Sequence, residues 1–274
     1  MSTTSVSLLA FAGERSHPRF DDVATEEPLQ IRIEAGAQRS DVAVTMRTPG
    51  HDFELAAGFL FCEGIVRARQ DVDAITYCID PEVDAQQRYN IVNVRLRNSA
   101  IVPLERLERH FAIGSACGVC GKAQLESLQA RGIAPVASAL RVSSEVLLAL
   151  PERLRQEQRV FQSTGGLHAS ALFDASGTLE VVREDIGRHN AMDKLAGWAL
   201  LNGALPLNDR IVMVSGRSSF EVVQKAAAAG IPIVCSVSAP SSLAIETARA
   251  FNITLVGFLR ERRFNIYAGE ERIR

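Results

Sequence analysis

Cys117 and Cys120 enclose Gly118-Val119 within the run Ile113-Gly114-Ser115-Ala116-Cys117-Gly118-Val119-Cys120-Gly121. Glycines and small residues dominate this stretch, so the sequence predicts a mobile loop over residues 113–122 that carries two thiols. A Cys-x-x-Cys pair admits four chemistries. A structural zinc site wants four soft ligands, and only one such pair exists here. A zinc deaminase wants H-x-E with P-C-x-x-C. Residue 116 is alanine, while His168-Ala169-Ser170 and His189-Asn190-Ala191 lack the glutamate. Dithiol redox chemistry fits the helix expected after the pair, which would lower a thiol pKa, although no βαβ unit precedes it. Sulfur relay fits as well. A thiolate on an uncrowded loop can accept sulfane sulfur as a persulfide and present it elsewhere, with Lys122 favouring the thiolate. Redox and relay share this spacing, and both stay open.

The other cysteines, Cys62, Cys78 and Cys235, sit singly in apolar runs and read as buried hydrophobes. An odd total of five argues against a disulfide framework.

A strand edge supplies a second chemistry. Strands at Ile211–Val214, Ile231–Val237 and Thr254–Leu259 alternate with helices near Ser219–Ala229 and Ser242–Phe251, the pattern of a right-handed parallel α/β layer. Two junctions, Ser215-Gly216-Arg217-Ser218-Ser219 and Ser238-Ala239-Pro240-Ser241-Ser242, lead into helix N-termini, where free N–H groups favour anions. A third cluster, Arg183-Glu184-Asp185-Ile186-Gly187-Arg188-His189-Asn190, precedes another helix, from about His189 to Leu201. Arg188 and Arg217 suit bidentate phosphate contacts. Taken singly, each cluster is better explained by helix caps and solvated arginines. Together with Thr164-Gly165-Gly166 and His168 they balance that account against a pocket for a phosphorylated or nucleotide-like ligand. Neither G-x-G-x-x-G nor a Walker lysine loop occurs, so dinucleotide redox chemistry and nucleotide hydrolysis have no motif support.

The remaining chain must position these groups. Residues 1–28 read as a loose polar arm, and 29–112 as a smaller α/β domain. This domain has a hairpin over Leu29 to Val44, a helix from Phe53 to about Cys62, and strands at Ala74–Ile79 and Tyr89–Leu96. A short amphipathic piece, Leu104 to Phe111, leads into the cysteine loop. Residues 123–274 form a C-terminal α/β domain that opens with helices at Lys122–Ala130 and Ser143–Gln158. A hairpin then pairs His168–Phe173 with Leu179–Arg183. The chain has 274 residues, 47% hydrophobic and 23% charged, enough for a full core. Thirty Lys+Arg against 32 Asp+Glu give a net charge of -2, which disfavours nucleic-acid coating. No membrane span or export signal is read: the apolar run at Val6–Phe11 is short, and Ala226 to Ile245 is broken by Gly230, Pro232 and Pro240. A cytoplasmic location is expected.

Several blocks resemble the FdhD/NarQ family: Thr45-Met46-Arg47-Thr48-Pro49-Gly50-His51-Asp52 with Glu54-Leu55-Ala56-Ala57-Gly58-Phe59-Leu60, Cys117-Gly118-Val119-Cys120-Gly121, Thr164-Gly165-Gly166-x-His168, Arg183 to Ala191, Ser215-Gly216-Arg217, Ser238-Ala239-Pro240 and Gly257-Phe258. They span about residues 29 to 267. The resemblance implies a cytidine-deaminase-like C-terminal domain without the zinc site, and a homodimer. It also implies a sulfurtransferase that takes sulfur from a cysteine desulfurase of the IscS type. The acceptor is the molybdenum bis(molybdopterin guanine dinucleotide) cofactor, before its insertion into the formate dehydrogenase apoenzyme. GDP should mimic that cofactor. Cys117 would carry the persulfide, with Cys120 as its helper. The family's cofactor-binding stretch falls on Phe258, Leu259, Arg260, Glu261, Arg262 and Arg263. With the pocket reading, Thr164, Gly165, Gly166, His168, Asp185, Arg188, Ser215, Gly216, Arg217 and Ser238 join it. Leu167 is bulkier than the small or polar residue expected at that position. A dithiol oxidoreductase and a non-catalytic cofactor chaperone are the competing functions.

Overall fold

The computed structural model describes residues 1–36, 38–85, 87–97 and 121–274, with side chains described from residue 124 in the last segment. Cys117, Cys120, the 113–122 loop, the Leu104–Phe111 piece and the side chain of Lys122 therefore lie outside the described residues.

Twelve strands among these residues form three sheets. The chain opens with β1 (Thr3–Ala12) and β2 (Arg15–Ala24), an antiparallel hairpin in unbroken register from Thr3↔Ala24 to Ala12↔Arg15. This corrects the loose arm read over residues 1–28. The turn is Gly13-Glu14, with Gly13 at φ 64, the left-handed conformation that a two-residue hairpin turn asks of a glycine. The hairpin escaped the sequence reading because β2 is mostly polar and one face of the pair stays wet, with Leu9, Phe11 and Phe20 exposed.

Next come β3 (Glu27–Ala35), β4 (Gln38–Arg47), helix α1 (Asp52–Cys62), β5 (Val72–Tyr77) and β6 (Ile91–Leu96), in the sheet order β4-β3-β6-β5. Alternate residues Leu29, Ile31 and Ile33 point inward from β3 onto Leu55, Ala56 and Leu60 of α1. This is the period-two logic of a half-buried strand.

After α2 (Gly121–Ala130), α3 (Ser144–Glu157) and α4 (Arg159–Thr164), the second sheet begins with the hairpin β7 (His168–Phe173) and β8 (Leu179–Asp185). There follow α5 (Arg188–Leu201), β9 (Ile211–Val214), α6 (Phe220–Ala229), β10 (Ile233–Ser236), α7 (Ser242–Ala250), β11 (Thr254–Arg260) and β12 (Arg263–Ala268). The order is β12-β11-β10-β9-β7-β8, with β9, β10 and β11 mutually parallel as the sequence predicts. Val212 and Val214 pack with α5, α6 and α7 on one face, while Ile211 and Met213 pack with Leu147, Leu150 and Leu154 of α3 on the other. The result is a three-layer α/β/α unit. Strand β12 was not anticipated; it returns antiparallel beside β11.

The two units are joined through backbone contact. Gly58 of α1 faces Asp193 and Gly197 of α5, so close that a Cβ on Gly197 would collide with the Glu54 carbonyl. Leu200 of α5 is buried in the core of the first unit.

Candidate functional site

A cavity of about 900 Å³ opens at the carboxyl edge of the second sheet. The sheet contributes His168, Ser215, Val237 and Leu259. Helices α3 and α4 form the facing wall, and the β11–β12 turn arches over the mouth.

That turn is built by local strain. Phe258 stands at φ 51, and the β11–β12 register shifts between Gly257 and Arg260. A bulge of this kind re-aims the following residues. Beyond it, Arg260 pairs with Arg263 across the two-residue turn Glu261-Arg262. Arg260, Arg262 and Arg263 thus crowd one hairpin tip, all exposed, and all line the cavity with Arg155 of α3. None of the four has a carboxylate partner among the described residues. Unpaired guanidiniums at a cavity mouth favour a polyanion.

The sequence-selected junctions do share this edge. Ser218 bridges to Pro240, and the Ser241 N–H donates to the Ser218 carbonyl at 3.0 Å. The Ser215 hydroxyl accepts from the Ala169 N–H at 2.8 Å and lines the cavity. A Cβ on Gly216 would lie 3.1 Å from His168 Nδ1, so a larger residue here would press on the ring. Burial, followed by the charges of Arg188, His189 and Arg217, holds the His168 imidazole below its usual pKa. The Arg188 Nε is buried without a partner among the described residues. Gly165 and Gly166 line the cavity, Gly165 as the left-handed cap of α4. Thr164 instead donates its hydroxyl to the Val160 carbonyl at 2.8 Å and accepts from the Gly166 N–H at 3.3 Å, shaping the turn. Ser238 does not line the cavity; its carbonyl accepts from the Phe258 N–H at 3.1 Å and fixes the bulge. Leu167, buried, forms a wall shared with a second cavity of about 700 Å³.

Asp185, grouped from the sequence with the cofactor-binding residues, is fully buried and spends both oxygens on the protein. Lys194 approaches one at 2.7 Å and the Thr48 N–H donates to it at 3.3 Å; the Gly187 N–H and the Asn190 amide donate to the other at 2.8 and 3.0 Å. Lys194 also donates to the Thr48 carbonyl at 2.9 Å. Blocks 45–52 and 183–194 are therefore one interlocked junction. Stripping either charge would leave its mate buried and uncompensated, at a cost of about 3–5 kcal/mol.

Arg183 and Glu54 close the same junction with a bidentate pair, one bond at 2.7 Å. Burial alone would raise the Glu54 pKa, but the hydrogen bond from Arg183 and its positive charge hold it below the usual carboxylate value. The contribution of Glu54 to stability is therefore complete above the ordinary carboxylate range and is lost as pH falls through the lowered folded-state value. Urea midpoints measured from neutral pH into acid should fall more steeply for the wild type than for Glu54→Gln. Parallel curves would remove this pair from the pH dependence.

Seven cavity residues escaped the sequence reading: Pro151, Glu152, Leu154, Arg155, Gln158, Phe161 and Val237. The first five lie on a stretch that reads as ordinary amphipathic helix, and the nearness of Phe161 to Thr164-Gly165-Gly166 was the available signal for it.

Among the described residues, no group of three or more His, Cys, Asp or Glu side chains is placed to hold a metal ion, and no helix is long and apolar enough to cross a membrane. The FdhD/NarQ family model matches residues 24–274. The chain belongs to this family. Its relatives include the sulfur carrier protein FdhD of Streptomyces coelicolor, 49% identical over 93% of this chain and 90% of the relative, and that of Mycolicibacterium paratuberculosis, 50% identical over 93% of each. The Sulfurisphaera tokodaii protein of the same name is 42% identical over 100% of both chains. A crystal structure of a candidate formate dehydrogenase accessory protein from Desulfotalea psychrophila covers 100% of both chains with a TM-score of 0.75 at 24% identity, and it shares the mixed α/β fold.

Proposed function

We propose that this FdhD/NarQ chain carries sulfur for the maturation of formate dehydrogenase. It accepts the sulfur from a cysteine desulfurase and passes it to the molybdenum bis(molybdopterin guanine dinucleotide) cofactor before insertion into the apoenzyme. The observation that carries this reading is the arginine-rimmed cavity, large enough for a nucleotide, in a chain whose relatives are named sulfur carrier proteins. Its open guanidiniums, from Arg155, Arg260, Arg262 and Arg263, suit a diphosphate, and its apolar wall, from Leu154, Phe161, Val237 and Leu259, suits a base. A homodimer would present two such cavities, one for each nucleotide of the cofactor.

The sulfur step belongs to Cys117. Its thiolate attacks the outer sulfur of the desulfurase persulfide; the new S–S bond leaves Cys117 persulfidated and releases the donor cysteine as a thiolate. Delivery as sulfide requires two electrons. Cys120 supplies them by closing a disulfide with Cys117, which a cellular thiol later reopens. The three described cysteines make poor substitutes. Cys62, Cys78 and Cys235 are buried, and burial raises the thiol pKa of Cys62 and Cys235 far above its usual value.

The test is intact-protein mass spectrometry after incubation with a cysteine desulfurase and cysteine. One added sulfur atom is expected, mapping to the peptide that holds Cys117 and absent from Cys117→Ala. Undiminished loading of that variant would defeat the assignment.

A further inference from the structure

The second cavity, of about 700 Å³, lies where the Thr48-Pro49-Gly50-His51 segment before α1 faces strand β8, beside the joint of α3 and α4. Leu167 alone lines both cavities. Thr48 is 2% exposed and lines this second one, yet its hydroxyl is buried with no hydrogen-bond partner among the described residues. Buried hydroxyls are ordinarily paired, so this one calls for a partner from the cavity. The backbone beside it is unusual as well. His51 adopts the left-handed conformation at φ 58, which is uncommon outside glycine. As N-cap of α1 it makes no side-chain cap; its Nδ1 meets Glu54 at 3.4 Å instead. The other ring nitrogen has no partner among the described residues.

The charged groups around this cavity fall into two sets. Arg183 is held by Glu54, Lys194 by Asp185 and Glu180 by Arg210. Glu184 accepts from the Val160 and Phe161 N–H groups at 3.1 and 2.9 Å. Glu157 and Arg159 form the loose set. Among the described residues they pair only with each other, at 3.7 Å, with side chains 48% and 85% exposed. An open pair of this kind is worth little, so a ligand with one charge of each sign can replace both halves of it. A plain anion would leave Glu157 facing it, and a plain cation would leave Arg159. Val160, Leu167, Leu179 and Val182 add an apolar wall. A molecule with an ammonium, a carboxylate and a short hydrocarbon group satisfies all of these surfaces. The Thr48 hydroxyl can accept from the first or donate to the second.

We infer that this cavity binds a free α-amino acid with an apolar side chain. Glu157 takes the ammonium and Arg159 the carboxylate. The Thr48 hydroxyl gains at the charged end the partner that the folded chain denies it, and His51 supplies a second polar contact from the same segment.

The test is calorimetric titration of the full chain with L-leucine, 4-methylpentanoate and 3-methylbutylamine. These share one hydrocarbon group and carry both charges, the carboxylate alone or the ammonium alone. Leucine should bind the wild type, and each analogue should bind about tenfold to a hundredfold more weakly. Thr48→Val should weaken leucine binding about tenfold or more yet melt no lower than wild type, because valine removes an unpaired hydroxyl from a buried position. Arg159→Gln, a change at an exposed side chain, should weaken leucine binding and spare 3-methylbutylamine. Saturating pyrophosphate should leave leucine affinity unchanged. Absence of leucine binding, an analogue that binds as tightly as leucine, or displacement of leucine by pyrophosphate would overturn the proposal. Undiminished leucine affinity in both variants would overturn it equally.

Discussion

Gly197→Ala should yield no folded protein, with both the soluble fraction and the cooperative melting transition lost. A Cβ at this position would lie 1.8 Å from the Glu54 carbonyl oxygen and 2.8 Å from the Gly58 nitrogen. Across the same crossing, a Cβ on Gly58 would lie 1.8 Å from the Asp193 carbonyl oxygen. These neighbours are backbone, so no rotamer change can make room. Helices α1 and α5 would have to part, and they cannot part alone. Glu54 is tied to Arg183, and Asp193 holds Lys225 at 2.6 Å in a buried pair. We expect a loss of at least about 4–5 kcal/mol, the range reached when overpacking strikes a rigid core. Total stability of a domain is only about 5–15 kcal/mol. Circular dichroism melting of whatever purifies is the measurement. A variant that melts within a few degrees of wild type would show that the helices do not meet at their backbones.

The triple substitution of Arg260, Arg262 and Arg263 by alanine should leave the melting temperature nearly unchanged and weaken GDP binding about a hundredfold or more. All three side chains are exposed at a hairpin tip and make no ion pair among the described residues, so folding loses little with them. A charge-assisted hydrogen bond to phosphate is worth about 1.5–3 kcal/mol, and each ~1.4 kcal/mol is tenfold in affinity. Crowded cations do not add independently, which keeps the expected loss below the simple product. Salt gives a second readout. Wild-type affinity should drop as ionic strength rises, while the variant should respond weakly. Unchanged GDP affinity in low salt would remove the hairpin tip from the binding site.

Legibility in the sequence followed chemistry that repeats locally. The short apolar runs at Ile211–Val214 and Ile231–Val237, separated by a helix that Gly230 stops, announced parallel strands. The small residues at 215–219 and 238–242 announced the loops at one edge, and the Ser218–Pro240 bridge joins them. The cavity mouth was partly visible as three arginines within four residues. Other features depend on partners distant in sequence. Asp185 reads as one member of a polar cluster before a helix start, and only folding brings Lys194 and Thr48 onto its oxygens. The β1–β2 hairpin hides for a simpler reason: its second strand buries little and so carries no apolar alternation.

The double service of α5 bears on how the gene can be divided. Its Leu200 completes the core beneath the four-stranded sheet, while Met192, Leu195 and Ala199 complete the other. Fragments expressed from a split near the midpoint would each expose a greasy seam meant for the missing half. Reporters, affinity handles and fusion partners therefore belong at the chain ends, and complementation by two separately made pieces should succeed only when they are synthesised together.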